Sequence, residues 1–306
     1  MQVEQYEING FVIDQFNQYN LEQKKQGICP ICSHDRKPEN RKKKCASYDW
    51  ERGLGTCHNC DTTFQLHTYQ RKGATDKEYV RPVDPPKEEF NIPRTKVAEW
   101  FETRGISTRT LIDLQISEGP EYMPQTGKTE NTIKFNYFIG DQLINVKYRD
   151  GRKNFKLYKG AEKVFYNINS IVGYDSCVIT EGEMDVLALH EAGVKNCVSV
   201  PNGATMTHNN LDYLDNCIDY FEDKKQIILA LDTDAPGIAL RTEFVRRLGA
   251  EACFLVDFED CKDANEYLIK YGKEKLKQAI DKAKAYPLEN VTTFKDIEGD
   301  VKDFVK

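Results

Sequence analysis

Three absences narrow this 306-residue sequence before any motif is read. No apolar run approaches the roughly 20 residues that a membrane-spanning helix needs. The start, Met1-Gln2-Val3-Glu4, carries no signal or transit pattern. The expectation is a chain with no membrane partner, working in the cytoplasm. A GxxxxGK[ST] loop is also missing, so this sequence is not itself an ATP-driven motor of the P-loop kind. Positive charge is not in excess: 43 Lys and Arg face 49 Asp and Glu, a formal net charge of −6. Bulk charge therefore announces no nucleic-acid partner, and one would have to be gripped by local basic patches. The length allows two or three domains.

Cysteine, by contrast, is plentiful at ten residues. In a chain without secretory features this argues for reduced thiols and a metal site rather than a disulfide framework. Four of the ten form two knuckles, Cys29-Pro30-Ile31-Cys32 and Cys57-His58-Asn59-Cys60, separated by residues 33–56. One knuckle alone would read as a redox dithiol. Two at this spacing predict a zinc ribbon in which Zn²⁺ is structural, because four thiolates leave no coordination position open. Cys45, His34 and His58 are the ambiguous neighbours; Cys45 is expected to pack in a strand, and neither histidine has the spacing to replace a knuckle cysteine. Between the knuckles, Arg36 to Lys44 is a basic run followed by Tyr48 and Trp50. It reads either as a solvated loop or as a grip on single-stranded template through phosphates and base stacking. Residues 1–28 carry a helical pattern through Phe11, Val12, Phe16 and Tyr19. Residues 73–94 are charged and punctuated by Pro82, Pro85, Pro86 and Pro93, the composition of a tether.

Beyond the tether, 96–101 and 108–114 read as short helices around Arg104-Gly105-Ile106-Ser107. Residues 132–166 alternate like strands, and Lys147 to Lys156 reads as a hairpin turning at Asp150-Gly151. Lys147, Arg149, Arg152, Lys153, Lys156 and Lys159 make this the most basic part of the core. They are either edge-strand charges that discourage aggregation or contacts to phosphate. From Ile171 onward strands are expected at 177–180, 197–200, 226–231 and 252–257. Helices are expected at 184–192, 207–221, 236–248, 263–271 and 273–285. Such alternation gives a parallel sheet with right-handed crossovers. Two buried runs, Val178-Ile179-Thr180 and Ile227 to Leu231, stop abruptly on carboxylates. Ligands of α/β sheets bind outside the carboxyl ends of strands, so Glu181, Asn202, Gly203, Asp232, Asp234 and Asp263 should share one edge. Any one acid there could be a helix N-cap. Together, Glu181, Asp232 and Asp234 offer the hard oxygen ligands that Mg²⁺ or Mn²⁺ takes while it also holds substrate phosphates. Pro236 and Gly237 suit a helix start and a close backbone approach.

Glu181-Gly182-Glu183 after one strand and Asp232-Thr233-Asp234 after another resemble the TOPRIM signature of primases, topoisomerases and some nucleases. Ser199-Val200-Pro201-Asn202-Gly203-Ala204, Lys262-Asp263-Ala264-Asn265-Glu266 and the Lys-x-Arg-Asp…Asn-Phe-Lys wording of residues 147–156 narrow this further. They resemble the primase half of short-tailed-phage primase-helicases and the related Twinkle proteins, over roughly residues 25 to 305. The resemblance implies an α/β TOPRIM core with a Rossmann-like parallel sheet, a mixed α+β basic subdomain and an N-terminal zinc ribbon. It implies domains at 1–72 (ribbon, template binding), 95–170 (basic subdomain) and 171–286 (catalytic), with 73–94 as linker and 287–306 leading toward a helicase. The implied activity is that of a DNA primase, making short RNA primers from ribonucleoside triphosphates on single-stranded DNA. Glu181, Asp232 and Asp234 would be metal ligands; Glu183, Asp185 and Asp263 match further family acids. Lys147, Arg149, Lys153, Lys156, Asn202 and Gly203 would meet nucleotide or DNA. Implied partners are a hexameric replicative helicase, fused or separate, and a replicative DNA polymerase. A TOPRIM nuclease and a catalytically silent DNA-binding module of a helicase are the competing readings. Phe294, Ile297, Val301 and Phe304 fall three or four apart and read as a helical docking stripe.

Overall fold

In the computed structural model the described residues are 6–8, 11–13, 25–33, 35–49, 54–60, 63–65, 78–83, 96–203 and 211–287. The chain divides into two compact units, residues 1–73 and 74–306. The tail stripe at 294–304 lies outside the described residues, as do His34, Trp50, Phe16 and Tyr19.

Among its described residues the first unit shows one small buried cluster. Strands β1 (Tyr6–Ile8) and β2 (Phe11–Ile13) pair antiparallel, Tyr6 opposite Ile13. The expected helix over this segment is therefore corrected. Asn9-Gly10, the dipeptide that favours a two-residue hairpin, lies between two β-branched or aromatic triplets and outweighs the 3.6-residue spacing. A second antiparallel sheet runs β3 (Gln26–Gly27), β4 (Ala46–Asp49), β5 (Leu54–Cys57) and β6 (Thr63–Gln65) in that order. Its buried cluster is Cys29, Ala46, Tyr48 and Cys57. Tyr48 donates its hydroxyl to the Ile28 carbonyl at 2.7 Å, and a Cβ on Gly27 would fall 2.5 Å from that hydroxyl oxygen. Only glycine leaves room for the ring.

The second unit joins two sheets over one core. Helices α1 (Lys96–Thr103) and α2 (Thr108–Asp113) precede an antiparallel sheet of β7 (Ser117–Met123), β8 (Lys128–Ile139), β9 (Gln142–Arg149) and β10 (Phe155–Leu157), ordered β10-β9-β8-β7. The connection from β9 to β10 is longer than a two-residue turn. Asp150 Oδ1 accepts the amides of Arg152 and Asn154 at 2.9 and 2.8 Å, and Lys153 takes a positive φ of 67°. Next come β11 (Ser176–Thr180), α3 (Glu183–Glu191), β12 (Cys197–Ser199), α4 (Asp212–Cys217), β13 (Gln226–Ala230), α5 (Ala235–Leu248), β14 (Cys253–Leu255), α6 (Ala264–Tyr271), α7 (Lys273–Asp281) and β15 (Lys284–Ala285). The sheet order is β12-β11-β13-β14-β15, with only β15 antiparallel. Lys284 and Ala285 thus belong to an edge strand rather than to the helix expected over 273–285. Strands β11 and β13 are buried over their last four residues, as continuous apolar runs of a covered parallel sheet should be. Phe101, Ile106, Phe135 and Tyr137 of the first sheet's side pack into the same core as Val178, Ile228 and Leu187.

Candidate active site and cysteine centre

Strands β11 and β13 end side by side, Thr180 opposite Ala230, so the residues that follow them emerge at one edge. Glu181 and Asp232 line the same cleft there, together with Asp185, Asn202, Gly203 and Asp263; its volume is about 640 Å³. Asp234 and Asp263 are N-caps: Asp234 Oδ1 accepts the Gly237 amide at 3.0 Å, and Asp263 Oδ1 accepts the Glu266 amide at 2.8 Å. Each cap uses one carboxylate oxygen. Asp185 is buried and accepts the Asn265 amide at 3.1 Å. Burial, then the charges of Asp263, Asp232 and Glu181, push its carboxyl well above the usual carboxylate range. Burial also raises Asp232, reinforced by Asp263 and Asp234 and opposed by Lys262. The Lys262 ammonium lies 2.9 Å from Asp232 and 3.8 Å from Asp234. Gly237 permits this packing, since a Cβ there would fall 2.2 Å from the Asp232 carbonyl oxygen.

The opposite wall of the cleft is aromatic and basic. Lys147 reaches across from β9 and donates to both oxygens of Glu183, at 2.8 and 2.9 Å. Tyr137 donates its hydroxyl to the same carboxylate, which is only 4% exposed. Lys156 is likewise engaged, by Glu121 at 2.6 Å and the Tyr122 carbonyl at 2.6 Å. Arg149 and Lys153 line the cleft and pair with no carboxylate among the described residues. The Arg149 guanidinium lies over the Trp100 ring, 4.4 Å from its centroid. Asn265 ties the two walls: its amide serves Asp185 and its side chain donates to the Arg104 carbonyl at 2.9 Å.

In the first unit the sulfurs of Cys29, Cys32, Cys57 and Cys60 all lie within 4.8 Å of one another. Cys29 and Cys60 are 3.9 Å apart and Cys32 and Cys57 3.7 Å. A tetrahedron with Zn–S bonds of about 2.3 Å has edges of about 3.8 Å, which these two pairs match. The amides of Ile31 and Asn59 donate to Cys29 and Cys57 at 3.3 Å each, as knuckle amides do to thiolates. His58 turns away, its Nε2 2.6 Å from the Ser47 hydroxyl. Cys45 sits just before β4, 3.7 Å from Cys57, and shares the Arg36 guanidinium with Cys32, each at 2.8 Å. Arg36 thus turns inward, while Lys42, Lys43 and Lys44 of the basic run are exposed.

Comparison with known proteins decides what this edge is. A family model described as Toprim-like matches residues 178–268. Those residues form a Toprim-like domain. Over 212 residues, 64% of this chain, the sequence is 37% identical to the "Primase homolog protein" of Arabidopsis thaliana, covering 61% of that protein. It is 35% identical over 218 residues to the "Twinkle homolog protein, chloroplastic/mitochondrial" of the same plant, covering 30% of it. The chain therefore spans less than two thirds of the curated relatives it matches. A solved structure of the RNA polymerase domain of the Mycobacterium tuberculosis primase superposes with a TM-score of 0.50 at 14% identity, over 63% of this chain and 74% of that one. At that identity the likeness speaks for the fold. The fold is the α/β TOPRIM fold that this primase domain shares, as the resemblance read from the sequence implied.

Within the Toprim edge, the sequence places Glu181, Asn202, Gly203, Asp232, Asp234 and Asp263 together; all of these but Asp234 line the cleft, and Asp185, a family acid by resemblance, lines it with them. Sequence reasoning missed Lys262, Tyr137, Trp100, Arg104 and Phe155. Lys262 had a signal, standing within the Lys-Asp-Ala-Asn-Glu motif. Tyr137 had none, because a strand tyrosine reads as core. The oxygen donors suit a hard divalent cation. The ammonium bridging Asp232 and Asp234 stands where positive charge is wanted, and the Asp185 and Asp232 carboxyls are raised by burial first and by their acidic neighbours second. Among the described residues no helix is long and apolar enough to cross a membrane.

Proposed function

We propose that this chain is a DNA primase that joins ribonucleotides into short primers on single-stranded DNA. One observation carries the reading: a carboxylate wall and a basic, aromatic wall face each other across a single cleft on a Toprim edge. The primase named among the relatives supports it, as does a bacteriophage T7 structure whose primase domains are bound to an RNA/DNA hybrid and dTTP, matched at a TM-score of 0.50 and 24% identity over 60% of this chain and 91% of that one.

Glu181, Asp232 and Asp234 would hold Mg²⁺ or Mn²⁺, with Asp263 and Asp185 behind them. Bound there, divalent ions lower the cost of charge on the attacking and leaving oxygens of phosphodiester formation. Arg149 and Lys153 would draw phosphates to the facing wall, aided by Asn202 and Gly203 at the cleft mouth. Lys147 and Lys156 would hold that wall in place through Glu183 and Glu121. Glu183 is then a positioning residue rather than a ligand. Residues 1–72 would serve template binding around a structural zinc on Cys29, Cys32, Cys57 and Cys60. Residues 73–94 would tether that unit to a basic subdomain (95–170) and a catalytic one (171–286). Residues 287–306 would lead toward a hexameric helicase, fused or separate, with a replicative DNA polymerase taking over the primer. A reducing compartment, read as the bacterial cytoplasm of a phage-infected host, suits ten cysteines free of disulfides.

The test is single-stranded DNA, four ribonucleoside triphosphates and Mg²⁺ or Mn²⁺, scored for short RNA. Asp232→Asn and Asp234→Asn should abolish product while the protein stays folded. DNA cleavage in place of synthesis would establish a TOPRIM nuclease instead. Binding with neither reaction would establish a silent module of a helicase.

A further inference from the structure

We infer that Phe155, backed by Arg149 and Trp100, is a platform on which a nucleobase stacks inside the cleft. The inference rests on the cleft taking nucleotides and goes beyond it by locating the base. Phe155 lines the cleft and is 38% exposed, a large apolar ring left in water beside Lys156. It is held rigidly. Its strand pairs with β9 in the register Phe155 to Arg149, and its carbonyl accepts the Gln125 side-chain amide at 2.8 Å. Behind it the layers continue: Arg149 lies 5.9 Å from the Phe155 centroid and 4.4 Å from that of Trp100, and Arg104 lies 5.5 Å from the same indole. Lys147 adds a second cation 5.3 Å from the Phe155 ring. Cations this close enrich the ring's surroundings in positive charge, and bases stack on aromatic rings and guanidinium planes alike.

The charges select the partner. Arg149 and Arg104 crowd one indole without a carboxylate partner among the described residues, and burial followed by the Arg104 charge pulls the Arg149 pKa down. This wall therefore asks for an anion beside its aromatic face. A ligand carrying both a flat apolar ring and a phosphate meets both demands. The base comes either from the single-stranded template or from the incoming ribonucleotide, and the two are separable.

The experiment measures binding of the full chain to four probes: a short oligodeoxythymidylate, an abasic oligomer of equal length, ATP and inorganic triphosphate. Phe155→Leu should weaken binding of a base-bearing probe about tenfold. It should leave the base-free partner of that probe within twofold, and Phe155→Tyr should restore the loss. A loss confined to the oligomer assigns the template base, and one confined to ATP assigns the incoming nucleotide. In the unmodified chain, a 5-iodouracil probe of the same kind should photo-crosslink to Phe155 or Trp100, which guards against a Leu variant that folds poorly. Equal loss on base-bearing and abasic probes, or crosslinks only elsewhere, would overturn the platform. No step requires RNA synthesis, so a failed priming assay and a failed platform are distinguishable.

Discussion

Replacing Lys147 by Met separates two roles that the sequence could not. If the lysine chiefly meets phosphate, the variant should fold normally and bind nucleic acid with a shallower salt dependence. The structure gives it another occupation. Both Glu183 oxygens accept from its ammonium, and the side chains are 12% and 4% exposed. Without it, Glu183 keeps only the Tyr137 hydroxyl among its contacts described above. Removing one member of a buried pair costs about 3–5 kcal/mol, because the remaining charge stays desolvated. For a unit of this size each kcal/mol lowers the melting temperature by about 2–4 °C, so Lys147→Met should melt about 6–20 °C lower. The paired change Lys147→Met with Glu183→Gln should recover most of that loss, since a neutral amide still accepts from Tyr137. The assay is urea and thermal unfolding of metal-free protein, single against double variant. A single variant less than 1 kcal/mol destabilised, or a double variant no better than the single, would refute the argument. The same proteins separate binding from folding. Arg149→Gln should lower the slope of log K against log salt by about 0.7 on single strands, and the Lys147/Glu183 double variant by much less.

Three further outcomes follow from particular contacts. Glu191 opposes its burial with donors from Lys273, Thr110 and Ser107, which hold its carboxyl down at about 2 against an ordinary 4.5. A depressed folded-state pKa stabilises above the unfolded value, so the advantage of wild type over Glu191→Gln, about 2–3 kcal/mol, should fade as pH falls from about 4.5 to 2 in a urea-midpoint series. Among its described residues the first unit's buried cluster is Cys29, Ala46, Tyr48 and Cys57, two of them knuckle cysteines, so chelation should unfold it while the Toprim unit melts unchanged, with one zinc per chain released in a metal-indicator titration. Gly237→Ala would drive a Cβ into the Asp232 carbonyl, costing about 1–3 kcal/mol and weakening Mn²⁺ binding though no carboxylate is removed, as calorimetry would register.

What the sequence could disclose follows from how each feature is encoded. The Toprim acids were legible because two apolar runs stop on carboxylates, and parallel pairing from Ser176 opposite Gln226 to Thr180 opposite Ala230 then aligns those stops automatically. The knuckles were legible because four sulfurs around one ion need fixed local spacing. The amino-terminal segment is ambiguous in sequence because Phe11 and Val12 suit a helix and a strand alike over so few residues, and the Asn9-Gly10 signal is what favours the strands.

The basic wall shows a deeper limit. Sequence counts its cations but not their partners, and the partner of Lys147 stands 36 residues away at the start of a helix. Lys147, Arg149, Lys153 and Lys156 share one hairpin and all line the cleft, yet Lys147 and Lys156 close ion pairs while Arg149 and Lys153 pair with no carboxylate among the described residues. The same holds among the acids. Asp234 and Asp263 are both the N-caps that any strand-end acid can be and members of the acidic rim, since a cap takes one oxygen and leaves the other. The capping and ligand readings were therefore never exclusive. Fixing these carboxylates on helix N-termini holds them still by backbone hydrogen bonds, and a rigid acidic edge is what binding a small hard cation requires.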